Sequence, residues 1–172
     1  MTRAVVADAG PLIALSKLNL LPVLRLLYER VHFTGGVYDE AVTAGRRLGH
    51  EDAQELASFL KRAGWEAVHS VGIRHELDGM PLDRGEKESI SLALDMSALL
   101  LMDEGRGREM ARRLHLPLKG TLGVLIQAYR RGFLAADELR HYFEQIETRK
   151  DIWISPGLCR RLLQEEFGQS SG

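Results

Sequence analysis

The chain has 172 residues, 45% of them hydrophobic and 27% charged, with a formal net charge of -1. That length suits one globular domain with a real hydrophobic core, and the charge balance means that any nucleic acid must be met by a local basic patch. Cys159 is the only cysteine, which excludes an internal disulfide and thiolate zinc clusters and fits a reducing cytoplasm.

Ala4 to Asp8 reads as a first strand, rich in valine and too short for a helix. Gly10-Pro11 starts a helix, with Pro11 suited to the first helical position and Leu12, Leu15 and Leu18 at helical spacing. A second helix is expected from Leu20 to Glu29. Val31 to Thr34 reads as a short strand, followed after Gly35-Gly36 by a helix carrying Tyr38, Glu40 and Ala41. His50 to Ala63 is amphipathic, with Ala53, Leu56, Ala57 and Leu60 on one face. Gly64 stops it, and Trp65 to Val71 reads as another strand. After a loop from Gly72 to Leu82, Asp83 opens a helix through Met96 with Ile90, Ala93 and Leu94 facing inward. Ala98 to Met102 is nearly continuous apolar sequence, as in a strand buried on both faces. A basic helix follows from about Glu104 to Leu114, then a short strand at Leu116 to Lys119. Thr121 is placed to cap a helix from Leu122 to Arg131. Ala135 to Thr148 is helical, Ile152-Trp-Ile154 is strand-like, and Ser155-Pro156 starts a last helix. The alternation implies an α/β fold with a mainly parallel sheet. Residues 1–167 read as a single domain and 168–172, small and polar, as a flexible tail.

Asp8 closes the first apolar run and Asp103 closes the run of Leu99 to Met102. In open parallel sheets, ligands bind beyond the strand C-termini where the strand order reverses, and both aspartates belong at that edge. Glu40 and Glu86 lie in helical stretches nearby. Four such carboxylates can hold hard divalent cations through oxygen ligands and support metal-assisted phosphodiester hydrolysis. Each also has a structural explanation. Asp8 before Gly-Pro is an ordinary turn residue. Asp83 and Glu86 match a capping box. Glu40 can be solvated on its helix, and Asp103 can cap the basic helix. Joint placement favours the site, because clustered carboxylates raise one another's pKa and are costly to bury without a cation.

These residues sit in ordered motifs: Val6-Ala-Asp-Ala-Gly-Pro-Leu-Ile-Ala-Leu-Ser-Lys17, Val37-Tyr-Asp-Glu-Ala-Val42, Gly85-Glu-Lys-Glu-Ser-Ile-Ser-Leu-Ala93, Leu101-Met-Asp-Glu-Gly-Arg-Gly-Arg108 and Lys119-Gly-Thr-Leu-Gly-Val124. Over nearly its whole length the chain resembles the PIN-domain nucleases, in particular PIN-like proteins close to VapC-type toxins. The resemblance implies a three-layer α/β/α domain with a central, mainly parallel, twisted sheet. It also implies an active site of Asp8, Glu40, Glu86 and Asp103 that binds Mg²⁺ or Mn²⁺ and cleaves RNA by hydrolysis. On this reading Asp8 and Asp103 are the principal metal ligands, Glu86 completes the site, and Glu40 orients or deprotonates the attacking water. A homodimer and a small antitoxin partner are further implications. Two positions depart from the pattern. Toxin members commonly have aspartate where this chain has Glu86, whose extra methylene moves the carboxylate outward. Many relatives have an acid or asparagine near Thr121, which here offers only a hydroxyl to a water around the metal.

Arg106, Arg108, Arg112 and Arg113 make the helix after Asp103 basic. It can position phosphates, or it can be a solvated face with Glu109 intermixed. Lys17 and Lys119 are weaker cationic candidates. The six histidines have no ligand-like spacing, which argues against zinc hydrolysis. Trp65 and Trp153 are expected in the core, and Gly105 and Gly107 match no phosphate-binding loop. No apolar run approaches the roughly 20 residues that span a bilayer, and Asp8 interrupts the first one too early for a signal peptide. Two other functions are compatible: a phosphoryl-accepting aspartate, although Asp8 is followed by Ala9 rather than a second acid, and a PIN-like module without catalysis that works through partner or RNA contacts.

Overall fold

Short runs of valine and leucine without internal charge build the sheet. The structure, a computed structural model, describes residues 2–103 and 105–168. The helix start expected at Glu104 and the tail beyond Gly168 lie outside the described residues. Strands β1 (Val5–Ala7), β2 (Leu99–Leu101) and β3 (Leu118–Lys119) pair in parallel in that order, Val5 opposite Leu99 and Leu100 opposite Leu118. Val6, Leu100 and Leu101 are fully buried, as uninterrupted apolar sequence in a parallel sheet requires.

On the other side of β1 the described residues make only single parallel bridges, Val6 to His32 and Thr34 to Val68. The strands expected at Val31–Thr34 and Trp65–Val71 shrink to these contacts. Thr34 is already the cap of the next helix, its hydroxyl accepting from the Val37 amide. Ser70 turns the other segment away with φ 58°. The chain therefore builds outward from β1 through 32–34 and 68, then returns to lay β2 and β3 on the opposite side. The reversal falls between β1 and β2, the two strands that end in Asp8 and Asp103.

Helices α1 (Ala9–Lys17) and α2 (Leu21–Leu27) follow β1. Helix α3 is one continuous helical stretch, α-helical at Gly35–Tyr38, π-helical at Asp39–Ala44 and α-helical again at Gly45–Arg47. Helix α4 (Glu51–Ala63) buries Ala53, Leu56, Phe59 and Leu60 and ends at Gly64, whose φ of 68° is left-handed. Helix α5 (Arg84–Met96) starts with Asp83 as its cap, and α6 (Gly105–Arg113) follows β2. Ile90 and Ala93 of α5 and Ala111 of α6 form one core cluster with Val6, Leu100 and Met102. Val6, Ile90, Leu100 and Met102 each contribute roughly 1.5–3 kcal/mol by burial there. Among the described residues no single helix is long and apolar enough to cross a membrane.

The chain divides into two compact units, Met1–Thr121 and Leu122–Gly172. The first holds the sheet and every candidate acid. Helix α7 (Thr121–Arg130) begins at the boundary, and the second unit continues with α8 (Ala136–Thr148) and α9 (Pro156–Phe167). Helix α8 buries Leu139, Phe143 and Ile146. Arg130 grips both carboxylate oxygens of Glu166, and Ser155 caps α9 as its sequence predicts. One expectation fails here. Ile152-Trp-Ile154 is not a strand, and with no sheet partner the segment buries Ile152 while leaving Trp153 93% exposed.

Candidate active site

Asp8 leaves β1 directly and stands at the cap position of α1 without capping it through its side chain. Its amide donates to the Leu101 carbonyl of β2 at 2.9 Å. The carboxylate turns inward, Oδ1 accepting from the Ser89 hydroxyl at 3.0 Å, and the residue is only 6% exposed. Burial pushes this carboxyl from the ordinary 3.8 up to about 7; the Ser89 bond opposes the rise, and the charges of Glu40 and Glu86 add to it. Carboxylate repulsion is present as the clustering argument requires, but desolvation is the larger cause.

Glu40 lies in the π-helical turn of α3 and is solvent-exposed. A wide turn of this kind shifts the side-chain register within a helix, and such turns recur at functional sites. The carboxylate lies beside Gly85, where a Cβ would make ordinary contact with Glu40 Oε2 at 3.6 Å. Glu86, the next residue, is buried at 8% exposure. Its capping box is real: Asp83 Oδ1 accepts from the Glu86 amide and Glu86 Oε2 accepts from the Asp83 amide, both at 2.8 Å. The other oxygen, Oε1, faces Gly107, where a Cβ would lie at 3.5 Å. Capping therefore uses one oxygen of Glu86 while its charge still acts on Asp8.

Asp103 packs against Gly10, whose Cβ position is 3.7 Å from its own Cβ. Oδ1 accepts from the Thr121 amide at 2.8 Å and Oδ2 from the Thr121 hydroxyl at 2.5 Å. Thr121 is thus not a cap but the first helical residue, anchored by a carboxylate distant in sequence. Burial raises the Asp103 pKa, while the two Thr121 bonds and the Arg108 charge hold it down. Gly120 has no room for a side chain, because a Cβ there would meet Asp103 Oδ1 at 2.8 Å.

Arg108 reaches back over this corner and donates to the Met102 carbonyl at 2.7 Å. Arg106 is exposed, whereas Arg113 is paired with Glu109. Lys119 sits in β3 opposite Leu101. Lys17 ends α1, about 13.5 Å along the helix from Asp8 at 1.5 Å per residue. Ser89 and Glu88 were missed from sequence. Ser89 follows Glu86 by one helical turn, and that spacing was the signal for a shared face. Glu88, buried, accepts from the Gly36 amide at 3.2 Å and from Arg84 at 2.7 Å, tying the start of α3 to α5.

A family model described as a PIN domain matches residues 4–167. The chain belongs to the PIN-domain family. No curated protein matches it. PIN domains are generally nucleases, and the parallel sheet with its helices fits the α/β/α architecture of that fold. In this PIN domain Glu40 and Glu86 both act electrostatically on Asp8, and Asp103 stands at the end of the adjacent strand. Among the described residues no three His, Cys, Asp or Glu side chains are gathered closely enough to hold one ion as they stand.

Proposed function

We propose that this PIN domain is a ribonuclease that hydrolyses RNA phosphodiester bonds with Mg²⁺ or Mn²⁺. The supporting observation is the buried Asp8 carboxyl at the strand-order reversal, pushed to about 7 with Glu40 and Glu86 acting on it. Such a group is unfavourable in its charged form until a cation or a proton joins it. The donors are all carboxylate oxygens, which suit hard divalent cations. Asp8 and Asp103 would hold the ion, directly or through water, with Glu86 completing the set. When bound, it supplies positive charge to the scissile phosphate and acidifies the attacking water. Glu40, the exposed member, is the group to orient that water and take its proton. Thr121 holds Asp103 in place, and Arg106, Arg108 and Lys119 would steady the RNA phosphates. The same proposal makes the protein a cytoplasmic homodimer and the toxin of a pair with a small antitoxin; co-purification with the product of a small adjacent open reading frame tests that part.

The engagement of both Asp103 oxygens by Thr121, which leaves each with one acceptor position, favours a second reading, a PIN-like module of weak or no catalysis that acts through protein or RNA binding. Titration with Mg²⁺ and Mn²⁺ against a panel of RNAs separates the two. Cleavage is expected, and Asp8→Asn or Asp103→Asn should lower kcat at least about 100-fold with the far-UV spectrum unchanged. Full activity in both variants would sink the site assignment. Absence of cleavage with either metal decides for the second reading.

A further inference from the structure

Beside the Gly35–Tyr38 turn, with Tyr38 in its wall, lies a cavity of about 710 Å³ within the first unit. Its wall is aromatic. Phe33 and Tyr38 stack with ring centroids 6.4 Å apart, and Trp65 is held edge-on to Phe59. Its rim carries Arg46 and Lys61, both exposed and neither with a carboxylate partner among the described residues. Arg62, the neighbour of Lys61 outside the cavity, is by contrast spent on Glu55 at 3.2 Å. Phe33 and Trp65 are themselves buried at 1% and 6% exposure, so the half-buried Tyr38 ring, backed by Phe33, and the small part of Trp65 on the cavity wall are what a planar base would meet, while the guanidinium and ammonium meet phosphate oxygens beside the one acid of the lining, Glu66.

Two adjacent glycines join this cavity to the acidic edge. A Cβ on Gly35 would lie 2.8 Å from Nδ1 of His69, a cavity residue. A Cβ on Gly36 would lie 2.6 Å from Glu88 Oε2 and 3.4 Å from Gly85 Cα, beside the glutamates. The same short turn therefore faces the cavity on one side and the carboxylates on the other. We infer that the cavity is a nucleotide subsite of the RNA strand, with Tyr38 and Trp65 receiving a base flanking the cleaved bond and Arg46 and Lys61 its phosphate. The assignment rests on the ribonuclease reading for the identity of the strand. It does not depend on the acids being competent.

Trp153→Phe leaves Trp65 as the sole tryptophan, since the chain has two. Its emission is followed in that protein while an uncleavable 2′-O-methyl oligoribonucleotide is added in EDTA. A saturable change is expected, and Arg46→Glu with Lys61→Glu should raise Kd at least about tenfold. Arg62→Glu, outside the cavity, should raise it less than about threefold. An unmoved emission, equal weakening by Arg62→Glu, or tighter binding of a polyglutamate peptide than of the oligonucleotide overturns the inference. The expected response in a protein that cleaves no RNA supports the subsite and overturns only the catalytic reading.

Discussion

Asp8 is the residue on which local chemistry and function meet. Its folded carboxyl titrates near 7 instead of 3.8, so between those values the folded protein binds a proton that the unfolded chain has released. Stability from this group is therefore full below about pH 4, falls as pH rises, and is gone above about pH 7. In EDTA, Asp8→Asn should raise stability at pH 8 by on the order of 2–4 kcal/mol and change it little at pH 4. Denaturant melts at the two pH values check this. A destabilised Asp8→Asn protein at pH 8 would show that burial does not strain the charged carboxylate. Added Mg²⁺ or Mn²⁺ should stabilise the wild type and not the variant, because only the wild type offers the charge that binding relieves.

At the scale of elements, α5 carries two duties in its first two turns. Its amides are capped by Asp83 and Glu86, and Ser89, one turn on, bonds Asp8. Glutamine serves the third position of a capping box as well as glutamate does. Glu86→Gln should therefore keep stability within about 0.5 kcal/mol while lowering RNA cleavage at least about tenfold. Unchanged cleavage would reduce Glu86 to a cap. Glu88 works between elements: it holds the Gly36 amide and so sets where the π-helical turn presents Glu40.

For the whole molecule, net charge matters less than where cations are left over. At -1 overall, the protein meets a polyanion only through local groups. Arg106 is exposed, whereas Arg108 is engaged on Met102 and Arg113 on Glu109. Arg106→Ala should weaken RNA binding evenly across sequences and reduce the salt slope by about 0.7, the value for one phosphate contact on a single strand. An unaltered slope would remove Arg106 from the interface.

Much of this was legible in the residue order. Continuous apolar runs around Val6 and Leu100 announced buried parallel strands, and Asp83 with Glu86 announced a helix start, because periodicity and capping are local properties. The ordered motifs also pointed to the PIN domain, and with it to the acids. Tertiary structure decided the rest. Trp153 looks like a core residue in sequence and is exposed because its segment finds no sheet partner. Thr121 looks like a cap and is held by Asp103, 18 residues away. That Asp8 is buried against Ser89 while Glu40 stays in solvent depends on how a π turn and a helix N-terminus converge. Desolvation and charge coupling are set by distances across the fold, which no local pattern encodes.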